Sequence, residues 1–139
     1  MSSLNLTQSK SGILKKSVDE ILKDAESFSK VARINTNQIR KLHSHVTKLW
    51  TRYNTYRIGD ENTRKNKLKE AIEELKFIKA FLAYQEGRGV KGYEALNSKI
   101  TSLVDEVNDE ETFDKFKKYI DAVVAYSKLE EKKSKENRK

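Results

Sequence analysis

Apolar residues recur every three to four positions along most of this chain, the period of a helix with one face turned to a core. Val18, Ile21, Leu22, Ala25 and Phe28 make the first stripe. Ser17-Val18-Asp19-Glu20 ahead of it is a capping box, so the pattern predicts a helix over about residues 17–31. Asn35-Thr36-Asn37-Gln38 supplies a second cap, followed by Ile39, Leu42, Val46, Leu49, Trp50 and Tyr53 on a helix running to about 57 and ended by Gly59-Asp60. Leu68, Ala71, Ile72, Leu75, Ile78 and Leu82 mark a third helix, and Phe77, Phe81 and Tyr84 widen its apolar face. A face that wide predicts a helix in the middle of a bundle, with neighbours on more than one side.

Gly87-Arg88-Gly89-Val90-Lys91-Gly92 closes the third helix, since glycine adopts the left-handed cap at little steric cost. Tyr93, Leu96, Ile100, Leu103 and Val107 define a fourth. Asn108-Asp109-Glu110-Glu111 caps a fifth, which carries Phe113, Phe116, Ile120, Val123 and Val124 to about 130. The expected fold is therefore all-α, a compact bundle of about five helices in one domain over 17–130. Residues 1–16 are expected to form a flexible basic arm. From Glu130 onward there is no apolar residue, so 131–139 are expected to be a charged flexible tail.

Composition narrows this picture. The 139 residues include no proline, the strongest helix breaker, and no cysteine, which excludes disulfides, thiolate metal sites and a cysteine nucleophile. Apolar runs of only a few residues predict no bilayer span and no signal peptide, hence a soluble, cytoplasmic protein without a membrane partner.

Charge changes the picture more. The net charge is +8, and the 33 residues between Glu26 and Asp60 hold no carboxylate while carrying Lys30, Arg33, Arg40, Lys41, Lys48, Arg52 and Arg57. Residues 100–127 lean the other way, with seven acids against three lysines. Such polarity would favour head-to-tail contacts between copies of the chain. At about 100° per residue, Lys41, His45, Lys48 and Arg52 fall in one narrow strip of the second helix, away from its apolar stripe. Helices built for their own stability interleave acids with bases at i,i+4, as the third helix does. The second does not, which points to a face for phosphates and ribose hydroxyls, read without sequence specificity. Arg88 and Lys91 in the glycine loop are a second candidate contact.

The constellations that catalysis needs are not evident. His43 and His45 lie about 200° apart around their helix and so do not chelate one metal. His43 borders the apolar stripe and reads as a packed imidazole, while His45 lies in the basic strip. Gly87-Arg88-Gly89 has neither the spacing nor the preceding strand of a nucleotide-binding loop. No metal, cofactor or catalytic residue is assigned. Tyr53, Tyr56 and Tyr84 read as packing residues rather than base-stacking ones. A non-specific DNA-binding helical protein and a structural adaptor for an acidic protein share the basic charge and stay open as alternatives.

Thr36-Asn37-Gln38-Ile39-Arg40-Lys41, Phe81-Leu82-Ala83-Tyr84-Gln85-Glu86-Gly87-Arg88, and Phe113 through Phe116 to Ala122-Val123-Val124-Ala125-Tyr126 together resemble the small helical subunit of type III-A CRISPR effector complexes, the Csm complex. The likeness runs from about residue 17 to 129. It implies a non-catalytic bundle, present in several copies that stack along the guide RNA and target RNA duplex beside the larger Csm subunits. It also implies RNA-binding roles for Gln38, Arg40, Lys41 and Arg88; Tyr84 and Tyr126 match as well, and their core spacing predicts a structural role. His45, Lys48, Arg52 and Lys91 join the RNA-binding set from the charge pattern alone.

Overall fold

Ser17 opens the first helix of the computed structural model, which describes residues 12–137. Its hydroxyl accepts from the Glu20 amide at 3.2 Å and donates to the Glu20 carboxylate at 3.1 Å. Six α-helices follow one another: α1 (Val18–Ala32), α2 (Thr36–Asn54), α3 (Glu61–Lys76), α4 (Ile78–Gly87), α5 (Tyr93–Glu106) and α6 (Glu110–Asn137). The fold is all-α. The expected third helix is present as α3 and α4, joined through Phe77, which keeps helical angles (φ −69°, ψ −16°) but donates its amide to the carbonyl of Glu74, three residues back. One tight turn of this kind bends a rod without ending it, so five rods, one of them bent, match the sequence reading.

The centre of the bundle belongs to α6 and not to the third rod. Phe113, Phe116, Tyr119, Ile120 and Val123 on α6 are fully buried, and α6 packs along both α1 and α2. The bent rod buries a single stripe, Ala71, Leu75, Ile78, Leu82 and Gln85. Phe77, Phe81 and Tyr84 form a second stripe roughly 100° around it, and there Phe77 is 76% and Tyr84 64% exposed. Hydrophobicity spread so widely around a helix predicts two packed sides, whereas of the three residues on the second side Phe81 alone packs on the core, edge-on to Tyr93. The expected structural role for Tyr84 fails with it. Tyr126 does pack against the core.

Both ends of the chain depart from expectation among the described residues. Residues 1–11 of the expected arm lie outside them. Ile13–Lys15 form a 3-10 turn whose Leu14 is fully buried and donates its amide to Glu106 at 2.9 Å. At the other end, α6 continues to Asn137, past the expected limit near 130. The extra turns tie α6 to α2: the Glu131 carboxylate accepts from the Thr36 hydroxyl at 2.6 Å and lies 3.4 Å from the Thr36 amide, at the first turn of α2. There the positive end of the helix favours an anion, and the Thr36 hydroxyl holds the Glu131 carboxyl below its ordinary pKa.

Gly92 caps α5 at φ +88°, and an added Cβ would lie 3.0 Å from Ile34 Cγ1 and 3.2 Å from Ile34 Cα. The left-handed backbone alone costs an L side chain about 1–2 kcal/mol. Gly92→Ala is therefore expected to lower unfolding free energy by about that much in a urea titration; an unchanged midpoint would contradict the close approach.

Asp109 caps α6, accepting from the Thr112 hydroxyl at 2.6 Å and the Thr112 amide at 2.8 Å. The hydroxyl bond, then the amide bond, hold its carboxyl below the ordinary aspartate value. A depressed folded pKa stabilises the fold above the unfolded aspartate range, and that contribution disappears as pH falls through the folded value. Asp109→Ala is expected to cost about 1 kcal/mol near pH 6 and distinctly less near pH 3, measured by denaturant unfolding at both.

Among the described residues, no helix is long and apolar enough to cross a membrane.

Candidate nucleic-acid interface

Helix α2 presents its charge because its apolar residues take the opposite side. Ile39, Leu42, Val46 and Tyr53 are buried, and Lys41, His45, Lys48 and Arg52, spaced four, three and four residues apart, are all exposed on one strip. Lys41 and Lys48 make no ion pair among the described residues. Arg52 does, reaching across to Glu74 of α3 at 3.0 Å with both side chains half or more exposed. The strip has no acid along the sequence, but a neighbouring helix brings one to its end. An exposed pair of this kind is worth about 0–1 kcal/mol, so Arg52 exchanges it readily for another anion.

The other candidates divide. Arg88 and Lys91 are exposed on the loop between α4 and α5. This loop meets the beginning of α2, since Gly92 packs on Ile34 and the Tyr93 hydroxyl donates to the Gln38 carbonyl at 2.7 Å. The loop that carries both cations is thereby fixed against the N-terminal part of α2. Burial pushes the Tyr93 phenol up to about 12, which keeps it a donor throughout the ordinary pH range. Gln38 itself is half-buried. Arg40 is exposed but lies about 100° around α2 from Lys41, so the structure does not bring it into the strip. In the loop, the positive φ falls at Gly89 and Gly92 and not at Gly87, which ends α4. Arg88 bonds the Gln85 side chain at 3.2 Å and lies over the Tyr84 ring.

The two histidines part as their spacing requires. His43 Nε2 meets Asp121 Oδ1 of α6 at 2.8 Å, half-buried. His45 lies in the open, its ring 4.8 Å from that of Phe81. Beside it, between α2 and the bend at Phe77, runs an open groove of 290 Å³ lined by His45, Lys48, Arg52, Glu74, Phe77 and Phe81 among others. Phe77 and Phe81 are the residues that sequence reasoning misses at this surface. Their signal is a second apolar stripe at i, i+4 and i+7, which periodicity alone assigns to the core.

Arg57 corrects the charge map in the opposite direction. Although one of the seven bases in the acid-free stretch, it is turned inward, donating to Asp114 at 2.7 and 3.0 Å and approaching Glu110 at 3.3 Å. Hydrogen bonding to Asp114 keeps its guanidinium more firmly protonated than usual. Arg64 also reaches Glu110, and Trp50 Nε1 donates to Asp114 at 2.9 Å. Tyr53 donates its hydroxyl to Glu110, and burial, reinforced by that carboxylate, raises the phenol to about 12. Elsewhere in the acidic segment, Asp105 takes Lys79, and Asp121 takes Lys117 as well as His43. The segment is thus paired largely within its own chain.

What remains is a shallow, cationic surface of about one helix's length. Its chemistry suits phosphate oxygens, through charge-assisted bonds that need no fixed geometry beyond reach.

A family model described as Csm2 Type III-A matches residues 14–133 of the chain, a span that contains the whole strip and the groove. The CRISPR system Cms protein Csm2 of Streptococcus thermophilus is 29% identical over 97 residues, covering 69% of this chain and 72% of that protein. No solved structure matches.

Proposed function

The chain belongs to the Csm2 Type III-A family, and on that premise we propose that it is the non-catalytic small subunit of a type III-A CRISPR effector complex. In this reading it stacks in several copies along the guide RNA–target RNA duplex and holds the RNA backbone without reading sequence. Lys41, His45, Lys48 and Arg52 supply the central contacts, Arg88 and Lys91 extend them, and Gln38 and Arg40 are peripheral. The observation that carries the proposal is the exposure of Lys41 and Lys48 on one face with no carboxylate among the described residues paired to either.

Each copy contributes only a few contacts, so a single subunit binds weakly. Stacking raises the effective concentration of each further contact, which makes the array bind far more strongly than its members. In this reading catalysis is left to other subunits.

Tagged chain, expressed with the remaining Csm subunits and a guide RNA, is expected to retain both the RNA and the larger subunits through purification. Recovery of the chain alone, with DNA, or with an acidic protein and no RNA would overturn the proposal.

A further inference from the structure

The exposure of Phe77 has no explanation in the packing of the bundle. A lone exposed hydrophobe is ordinary, but this one continues a stripe with Phe81 and Tyr84 and forms one side of a groove whose opposite side is the cationic strip. Exposed aromatic faces beside cations are the combination that binds single-stranded nucleic acid, the cations following the backbone and the rings receiving bases. The groove's 290 Å³ lies at the lower end of ligand-pocket sizes, suited to one planar ring and too small for a bulky cofactor.

Glu74 decides which part of a nucleotide enters. Its carboxylate stands in the groove wall, paired to Arg52 at 3.0 Å. It repels a phosphate from the interior but does not repel a neutral base. Lys48 and Arg52 on the rim then meet the phosphates on either side. His45, already against the face of Phe81, forms an aromatic end to the slot.

We infer that the groove between α2 and the bend at Phe77 receives one unpaired RNA base, stacked on the Phe77 ring, while the strip holds the flanking phosphates. The inference rests on the reading of the strip as the RNA-facing surface and adds a base-dependent contact to it.

The test uses the full chain and a short single-stranded RNA with one internal 2-aminopurine, whose fluorescence is quenched on stacking. Wild type is expected to quench it. Phe77→Ala is expected to weaken binding roughly fivefold or more, with the slope of affinity against salt unchanged, and Phe77→Tyr to restore it. Because Phe77 is largely exposed, the alanine variant should unfold at the wild-type midpoint. Salt-dependent binding without quenching, or with Phe77→Ala equal to wild type, would overturn the inference and leave the phosphate grip standing. Loss of salt-dependent binding in the wild type itself would overturn both.

Discussion

Replacing Lys41, Lys48 and Arg52 together with glutamine is expected to weaken binding of single-stranded RNA roughly a hundredfold. Three contacts at about 1 kcal/mol each give about two factors of ten at 1.4 kcal/mol per factor. The slope of log affinity against log salt should flatten by about 2, since each phosphate contact on a single strand contributes about 0.7. Arg52 contributes least, because its charge is shared with Glu74. All three side chains are exposed, so the unfolding free energy should change by no more than about 0.5 kcal/mol. Unchanged RNA affinity in a variant that folds normally would remove the strip from the interface.

Arg57→Ala is expected to do the reverse: destabilise the fold by about 2 kcal/mol and leave RNA affinity alone. Its guanidinium makes a two-pronged bond to Asp114 and meets Glu110, with the three side chains only 25–31% exposed. Removing a cation from a fully buried pair costs about 3–5 kcal/mol because the anions are left uncompensated; partial exposure to water reduces that to about 2. Arg57 also covers the face of the Tyr53 ring, which the alanine side chain would leave bare. Urea unfolding and RNA titration of the same variant check both halves. Together with the strip variant it forms a crossed pair, in which two kinds of base from one acid-free stretch act on different properties.

That contrast shows what the amino-acid sequence discloses and where it stops. Periodicity locates the five rods though not the break at Phe77 or the 3-10 turn at Ile13–Lys15, and Ser17, Asn35 and Asp109 are legible as caps because capping joins residues two or three apart. The strip is legible for the same reason: residues three and four apart on one helix share a face. Arg57 is misread because its partners are 53 and 57 positions away, and counting charge along the chain is blind to such pairs. The last turns of α6 are misread likewise, since nothing near Glu131 in sequence announces Thr36. Phe77 fails differently. Its apolar character is visible, but periodicity records how many apolar residues a helix has and not how many neighbours it finds, and the bent rod buries one stripe and leaves Phe77 and Tyr84 of the other open.

The family match and the charge geometry are independent, and they meet on the same span. A family does not by itself say which face touches RNA. The lysines of α2, exposed and without an ion pair among the described residues, do not by themselves say that the polyanion is RNA. Joined, they support the proposal of a subunit whose contacts are individually weak and whose strength comes from repetition.

The most direct measurement of that central claim is an amide chemical-shift map of the isotopically labelled chain titrated with a short RNA. The account predicts perturbations concentrated on residues 41–52 and on 88–91, diminishing as salt is raised. Perturbations concentrated on α1 and the outer face of α6, with the 41–52 amides unmoved, would contradict it.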